Sequence, residues 1–167
     1  MTKLSPNFSL EEFIPKGMKA PDVPHPVLGN ITALVTLLLQ PCRDALGVKL
    51  IPTNCWRLPD HNAAVGGVPA SDHLNAAAVD FQATSNGTDS WQDVTFAAFR
   101  WLLLNKIGEF GQLILEDHRA HYGNPNKLWI HVSLKTSRHG GAVTDTNRLL
   151  VSSAPKEYEP WTDGRFA

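Results

Sequence analysis

Two long segments carry apolar residues at the spacing of a helix with one buried face. Residues 27–46 repeat leucine, isoleucine and valine every three or four positions, which predicts a helix that ends at Gly47. Pro41 falls inside this segment and predicts a local distortion, because proline lacks the N–H that the helix ladder needs. A second helix is predicted over Trp91–Lys106, where aromatic and leucine side chains form the buried stripe.

Short apolar segments predict the strands, and these are residues 48–54, 78–82, 112–116 and Leu128–Leu134. In the last of them aliphatic side chains occupy every second position and predict the core face, so His131 lies on the opposite face. In the third strand Leu113 and Leu115 suit the core, which leaves Glu116 on the opposite face. If these two strands pair, Glu116 and His131 share one face of the sheet.

The candidate chemistry is concentrated where the second strand begins. His73 and Asp80 are seven residues apart, and three consecutive alanines between them let the backbone turn closely. Imidazole and carboxylate are the ligand types that hold Zn²⁺ at catalytic sites, and His131 is the plausible third ligand. Glu116 on the same face as His131 would then suit a general base for hydrolysis, since such a carboxylate must lie beside the metal site.

Length and charge limit the other function classes. The chain has 167 residues, which predicts a single domain over residues 1–150, including an N-terminal arm, and a C-terminal tail over residues 151–167. From Lys135 onward the sequence is polar and punctuated by proline and glycine, so we expect this part to wrap loosely. The formal net charge of −1 gives no basic excess, so we expect no nucleic-acid partner. Cys42 and Cys55 make no disulfide framework, and a reduced, buried role is favoured over one disulfide. Polar residues interrupt residues 27–46, so we expect no membrane span.

Several motifs in one order carry a family resemblance. Ser71-x-His73-x-x-Ala76-x-Ala78-x-Asp80 resembles the Ser-x-His-x-x-Gly-x-Ala-x-Asp signature of the D-Ala-D-Ala zinc peptidases, which share a fold with the hedgehog signalling domain. The chain is similar to the small phage and bacterial peptidoglycan peptidases of the D-Ala-D-Ala carboxypeptidase and L-Ala-D-Glu endopeptidase type. The resemblance runs from about Leu4 to Leu150, and its other motifs are residues 8–13, 56–68, 112–116 and 129–133.

The resemblance implies an α+β fold, with a small antiparallel sheet and helices packed on one face. It implies Zn²⁺ held by His73, Asp80 and His131. It also implies that Arg57 grips a carboxylate or carbonyl of the substrate, a task that suits the planar guanidinium. We assign catalytic roles to Glu116 and Arg57, and substrate contacts to Arg57, Ser71, Trp129 and Ser133.

The implied activity is a zinc metallopeptidase that hydrolyses peptidoglycan stem peptides. The N-terminus has no apolar core of signal-peptide length, so we expect synthesis in a host cytoplasm without an export signal of its own. The protein would then act at the bacterial cell wall as a phage endolysin, or be carried in a virion beside other virion proteins.

Two departures from the family pattern leave alternatives open. Relatives carry an acidic base three residues before the last histidine, where this chain has Leu128. Either Glu116 serves instead, or the protein is a catalytically weak or inactive virion structural or binding module. Ala76 replaces the usual glycine, which is mild if its φ is below zero.

Three simpler interpretations concern the polar groups. Arg57 could pair with Asp60 or Asp72, Glu116 could be a solvated strand-end charge, and we expect His118 and His121 to be solvated.

Overall fold

A six-stranded sheet is the centre of the fold. The computed structural model describes residues 1–135 and 148–160, and within them the strands lie in the order β1-β2-β4-β3-β5-β6. Every neighbouring pair is antiparallel except β3 and β5, which are parallel. The strands are β1 (Leu50–Asn54), β2 (Ala78–Ala83), β3 (Phe110–Asp117), β4 (Leu128–Leu134), β5 (Arg148–Ala154) and β6 (Glu157–Pro160). The predicted α+β class with a mostly antiparallel sheet is therefore confirmed.

The first four strands match the predicted segments to within two residues, but β5 and β6 were not predicted. We expected a loosely wrapped polar tail from Lys135 onward, and that expectation is wrong for residues 148–160, where β5 pairs with β3 and β6 pairs with β5. The predicted boundary at residue 150 falls inside β5. Residues 136–147 and 161–167 of the expected tail lie outside the described residues. The assignment of one domain over residues 1–150 stays a prediction.

The predicted first helix is continuous but changes its hydrogen bonding in the middle. It runs through α1 (His25–Ala33), a π-helical segment (Leu34–Leu39) and α2 (Gln40–Leu46), and it ends at Gly47, whose φ is +65°. The N–H of Gln40 donates to the carbonyl of Val35, five residues earlier. Since Pro41 cannot donate to the carbonyl four residues back, the wider π turn accommodates the missing donor. The predicted distortion is confirmed.

The remaining helices are shorter, apart from α4 (Trp91–Lys106), which has the predicted bounds. The short helix Pro59–Ala64 has Leu58 at its N-cap position and Asp60 in its first turn. The others are α3 (Pro59–Ala64), α5 (Arg119–Tyr122) and three 3₁₀ helices at Leu10–Glu12, Ala20–Asp22 and Asp72–Asn75.

The hydrophobic core lies between the long helices and one face of the sheet. Leu128, Ile130 and Val132 of β4 are fully buried in the same apolar cluster as Leu113 and Leu115 of β3. Helix α4 packs across β2, β3 and β4 on this side, and α2 packs beside it. The face predicted from alternation is confirmed, and the opposite face is left for polar groups.

The sequence led to two expectations about what the chain lacks, namely a disulfide framework and a membrane span. Both cysteines are buried and free, as favoured, and burial raises the pKa of each thiol. Within residues 1–135 and 148–160, no helix combines the length and the apolar character needed to span a bilayer.

Candidate active site

His73, Asp80 and His131 meet on the face of the sheet opposite the core. Asp80 on β2 pairs directly with His131 on β4, so their side chains project side by side. His73 lies in the 3₁₀ helix Asp72–Asn75, which ends at Ala76 in the left-handed conformation with φ +53°. This turn leads back into β2 and brings His73 over Asp80. We expected the replacement of the usual glycine by Ala76 to be mild if its φ were below zero. Its φ is positive, so that condition is not met.

The three candidate ligand atoms lie close enough together to hold one metal ion. His73 Nε2 lies 3.3 Å from His131 Nδ1 and 3.4 Å from Asp80 Oδ1, and His131 Nδ1 lies 2.8 Å from the same carboxylate oxygen. Zinc bonds to nitrogen and oxygen are about 2.0–2.2 Å long, which sets tetrahedral ligands about 3.3–3.6 Å apart. The two distances from His73 match this spacing, whereas the contact between His131 and Asp80 has the length of a hydrogen bond and would have to widen by about half an ångström around an ion. The ligand types suit zinc.

The atoms behind the ligands fix their orientation and protonation. His73 Nδ1 lies 2.8 Å from the carbonyl oxygen of Cys55, so Nδ1 donates and Nε2 keeps its lone pair for a metal. Asp80 Oδ2 accepts from Arg57 at 2.9 Å and from Asn54 at 3.2 Å, which leaves Oδ1 for the cluster. Burial raises the pKa of Asp80, but the two imidazoles outweigh it and hold that pKa well below its usual range.

Arg57 is tied to the cluster and not to the partners expected as alternatives. Its guanidinium pairs with Asp80, and neither Asp60 nor Asp72 takes that place. The backbone N–H of Arg57 also donates to the carbonyl of His73 at 2.9 Å. Its Nε is buried and has no hydrogen-bond partner among the described residues. Arg57 therefore orients the aspartate ligand, and its role in gripping substrate stays a prediction.

Glu116 lies on the same sheet face as the cluster, as alternation predicted. Ile114 pairs with His131 and Glu116 pairs with Trp129, so Glu116 is diagonal to the histidine ligand. Glu116 is buried, which excludes the reading of a solvated strand-end charge. Burial raises its pKa to about 7, the nearby Asp80 adds to this, and His131 opposes it. A carboxyl group with a pKa near neutrality can exchange a proton at physiological pH.

His118 was expected to be solvated, and that is wrong. It is buried, its Nε2 lies 2.9 Å from Glu116 Oε2 and 2.8 Å from Ser152 Oγ, and its ring packs edge-on against Trp129 with centroids 4.9 Å apart. Burial lowers the pKa of His118, so a neutral imidazole donates its Nε2 proton toward these oxygens. His121 is exposed, as expected.

The other predicted site residues surround the cluster at different depths. Ser71 is buried, and its hydroxyl accepts from the backbone N–H of His73 at 3.4 Å. Trp129 is half-buried beside His118, whereas Ser133 is fully buried between β2 and β3. Leu128 lies in the core, three residues from His131 and so on the other face of β4. The substrate contacts of Ser71, Trp129 and Ser133 stay predictions.

Sequence reasoning missed the residues that support the site from other strands. Asn54 holds Asp80 from the end of β1, and Ser152 contacts His118 from β5. Asn54 stood at the end of a predicted strand and gave a weak signal. Ser152 gave none, because its strand was interpreted as tail.

Comparison with known proteins identifies the family of the chain from residues 7–108. A search of curated proteins found no match. The family model described as Peptidase M15 matches residues 7–108, which include Arg57, His73 and Asp80 and end before Glu116 and His131. Because the match covers more than half of the 167 residues, the chain belongs to the Peptidase M15 family.

Proposed function

We propose that this chain is a zinc-dependent peptidase that hydrolyses peptidoglycan stem peptides. The observation that carries the proposal is the cluster of His73, Asp80 and His131, whose ligand atoms lie 2.8–3.4 Å apart on the face that also holds Glu116. Membership of a peptidase family supports hydrolysis of peptide bonds. The preference for stem peptides rests on the resemblance of the motifs described above.

The residues of this chain divide the work of hydrolysis between them. A zinc ion bound at His73, Asp80 and His131 would supply a water of lowered pKa and a Lewis acid for the scissile carbonyl. Glu116 in its ionised form accepts the proton of the attacking water and passes it to the leaving amine. His118 donates a hydrogen bond to Glu116 and orients its carboxylate. Arg57 holds Asp80 in place and, through its remaining donors, orients the substrate.

Leu128 was the residue that favoured an inactive binding module, and its position removes that support. Because Leu128 lies on the core face of β4, an acidic side chain there would not face the cluster. The candidate base stands instead on the neighbouring strand, where Glu116 faces the site. We therefore propose an active enzyme, acting at the bacterial cell wall as a phage endolysin or as a virion-associated murein hydrolase.

Zymography on purified murein tests the proposal. Wild type supplied with zinc is expected to clear the murein, whereas His73→Ala and Glu116→Gln are expected to leave it intact. Failure of the wild type to clear murein with zinc present would overturn the peptidase assignment. Full activity of Glu116→Gln would overturn only the choice of base. Mass spectrometry of the released muropeptides then identifies which bond is cut.

A further inference from the structure

The β5–β6 hairpin carries a row of side chains onto the face that holds the metal cluster. Glu116 on β3 pairs with Ser152 on β5, and Ser152 pairs with Tyr158 on β6. Directly paired residues on neighbouring strands project to the same face of a sheet. Tyr158 therefore projects to the side of Glu116, from strands that lie outside the matched residues 7–108.

The charged groups around Tyr158 are those of the candidate site. Burial raises the pKa of Tyr158, the negative charges of Glu116 and Asp80 raise it further, and the positive charge of Arg57 opposes them. The phenol is therefore within electrostatic reach of the candidate base, a candidate metal ligand and the guanidinium that holds this ligand. Since its pKa is raised, the phenol keeps its proton at neutral pH and is available as a hydrogen-bond donor.

The tip of the hairpin reaches the loop on the other side of the site. Lys156 has a φ of +64° in the β5–β6 turn, and its Nζ lies 3.7 Å from the point that a Cβ on Gly66 would occupy. Gly66 follows α3, in the segment that connects Arg57 to His73. The hairpin and this segment therefore approach each other.

Tyr158 is placed to contact a ligand and not to fill the core. Its side chain remains 48% exposed, and its hydroxyl forms no hydrogen bond to another described residue. A half-exposed tyrosine on the sheet face of a polar cluster presents one apolar ring and one free donor, which suits an extended peptide.

We propose that Tyr158 is a substrate-contacting residue whose phenol O–H donates a hydrogen bond to a backbone carbonyl of the bound stem peptide, from the β6 edge of the sheet, whereas Arg57 follows β1 at the other edge. This inference rests on the proposed peptidase function. It assigns a substrate-binding role to a hairpin that the family match does not include.

The experiment compares Tyr158→Phe with Tyr122→Phe in the full chain. Tyr122 is the matched control, because it is 50% exposed, is the other tyrosine of the chain and lies on α5. The probe is a synthetic stem pentapeptide that ends in D-Ala-D-Ala. Steady-state kinetics give kcat/KM, and calorimetry gives the Kd for the same peptide in a Glu116→Gln background that does not turn over.

We expect Tyr158→Phe to lower kcat/KM and peptide affinity about fivefold to tenfold, as the loss of one hydrogen bond to a ligand predicts. Zinc content and Tm should stay at the wild-type values, and Tyr122→Phe should match wild type in every assay. Equal kcat/KM and Kd for the two variants would overturn the role of Tyr158 while the peptidase function stands. If wild type cleaves nothing but Tyr158→Phe still weakens peptide binding, the peptidase function fails and the contact stands. If no protein binds or cleaves the peptide, both are overturned.

Discussion

Replacing Glu116 with glutamine removes an ionisable group from a buried position without changing its size. The carboxyl group is buried, the negative charge of Asp80 disfavours its ionised form, and His131, Ser152 and the N–H of His118 favour it. Burial raises its pKa from 4.5 to about 7 in the folded chain. Glutamine resembles the protonated acid, because its amide oxygen can still accept from His118.

The sign of the effect follows from proton linkage. Between about pH 4.5 and about pH 7 the folded protein keeps a proton on Glu116 that the unfolded chain has released. The stability of the wild type therefore falls as pH rises through this window, and the cost is complete above it. Raising the pKa of a carboxyl group by roughly 2.5 costs about 3 kcal/mol of folding stability, at about 1.4 kcal/mol for each tenfold change in the proton equilibrium. Glu116→Gln avoids this cost, so we expect its advantage in stability over wild type to increase by about 2–3 kcal/mol from pH 5 to pH 8.

Urea unfolding of metal-free protein at pH 5 and pH 8 measures the effect. Metal-free protein is required, because a cation near Glu116 would itself favour the carboxylate. Glu157→Gln on β6 is the matched control, since it changes an exposed glutamate in the same way. A Glu116→Gln advantage that stays constant within about 0.5 kcal/mol across this pH range would refute the reasoning, and so would an equal rise in the control.

Three further predictions concern activity and backbone fit. For the zinc-loaded enzyme, kcat/KM should fall about tenfold per unit on an acidic limb at or below about pH 7, because the base must be ionised; a flat pH profile down to pH 5 would contradict this. His118→Ala should lower kcat about tenfold with unchanged zinc content, because Glu116 loses its N–H donor; unchanged kcat would exclude an orienting role. Gly67→Ala should lower the free energy of unfolding by about 2 kcal/mol, because its Cβ would collide with the buried amide group of Asn62. Gly29→Ala, on the exposed side of α1, should instead raise it by about 0.5–1 kcal/mol in thermal or urea unfolding.

The features of the site that depend on local sequence patterns could be predicted from the sequence. The two-residue periods of residues 112–116 and Leu128–Leu134 predicted that His131 and Glu116 share one face if these strands pair, and the register confirms the pairing and the shared face. The partner of Arg57 could not be predicted in this way, because Asp80 is 23 residues away and the pairing depends on how the loop after β1 folds over β2. The alternative partners considered from the sequence, Asp60 and Asp72, were nearby acids, whereas the ion pair that the structure shows is with Asp80.

Burial set by long-range pairing was the part that sequence reasoning missed. His118 follows a strand in a polar segment and looked solvated, but β5 covers it from a position 34 residues away through Ser152. Strand β5 itself has leucine and valine at consecutive positions without alternation, and it pairs in parallel with β3, a geometry that needs a long crossover. No short-range signal marks such a strand.

The zinc content of the purified chain tests the central claim most directly. Wild type is dialysed first against zinc and then against buffer. It is expected to retain one zinc ion per chain, as measured by mass spectrometry of its metal content. His73→Ala and His131→Ala are expected to retain almost none, while the exposed-histidine control His121→Ala retains the full amount. A folded wild type without zinc, or a His73→Ala variant that holds as much zinc as wild type, would contradict the account.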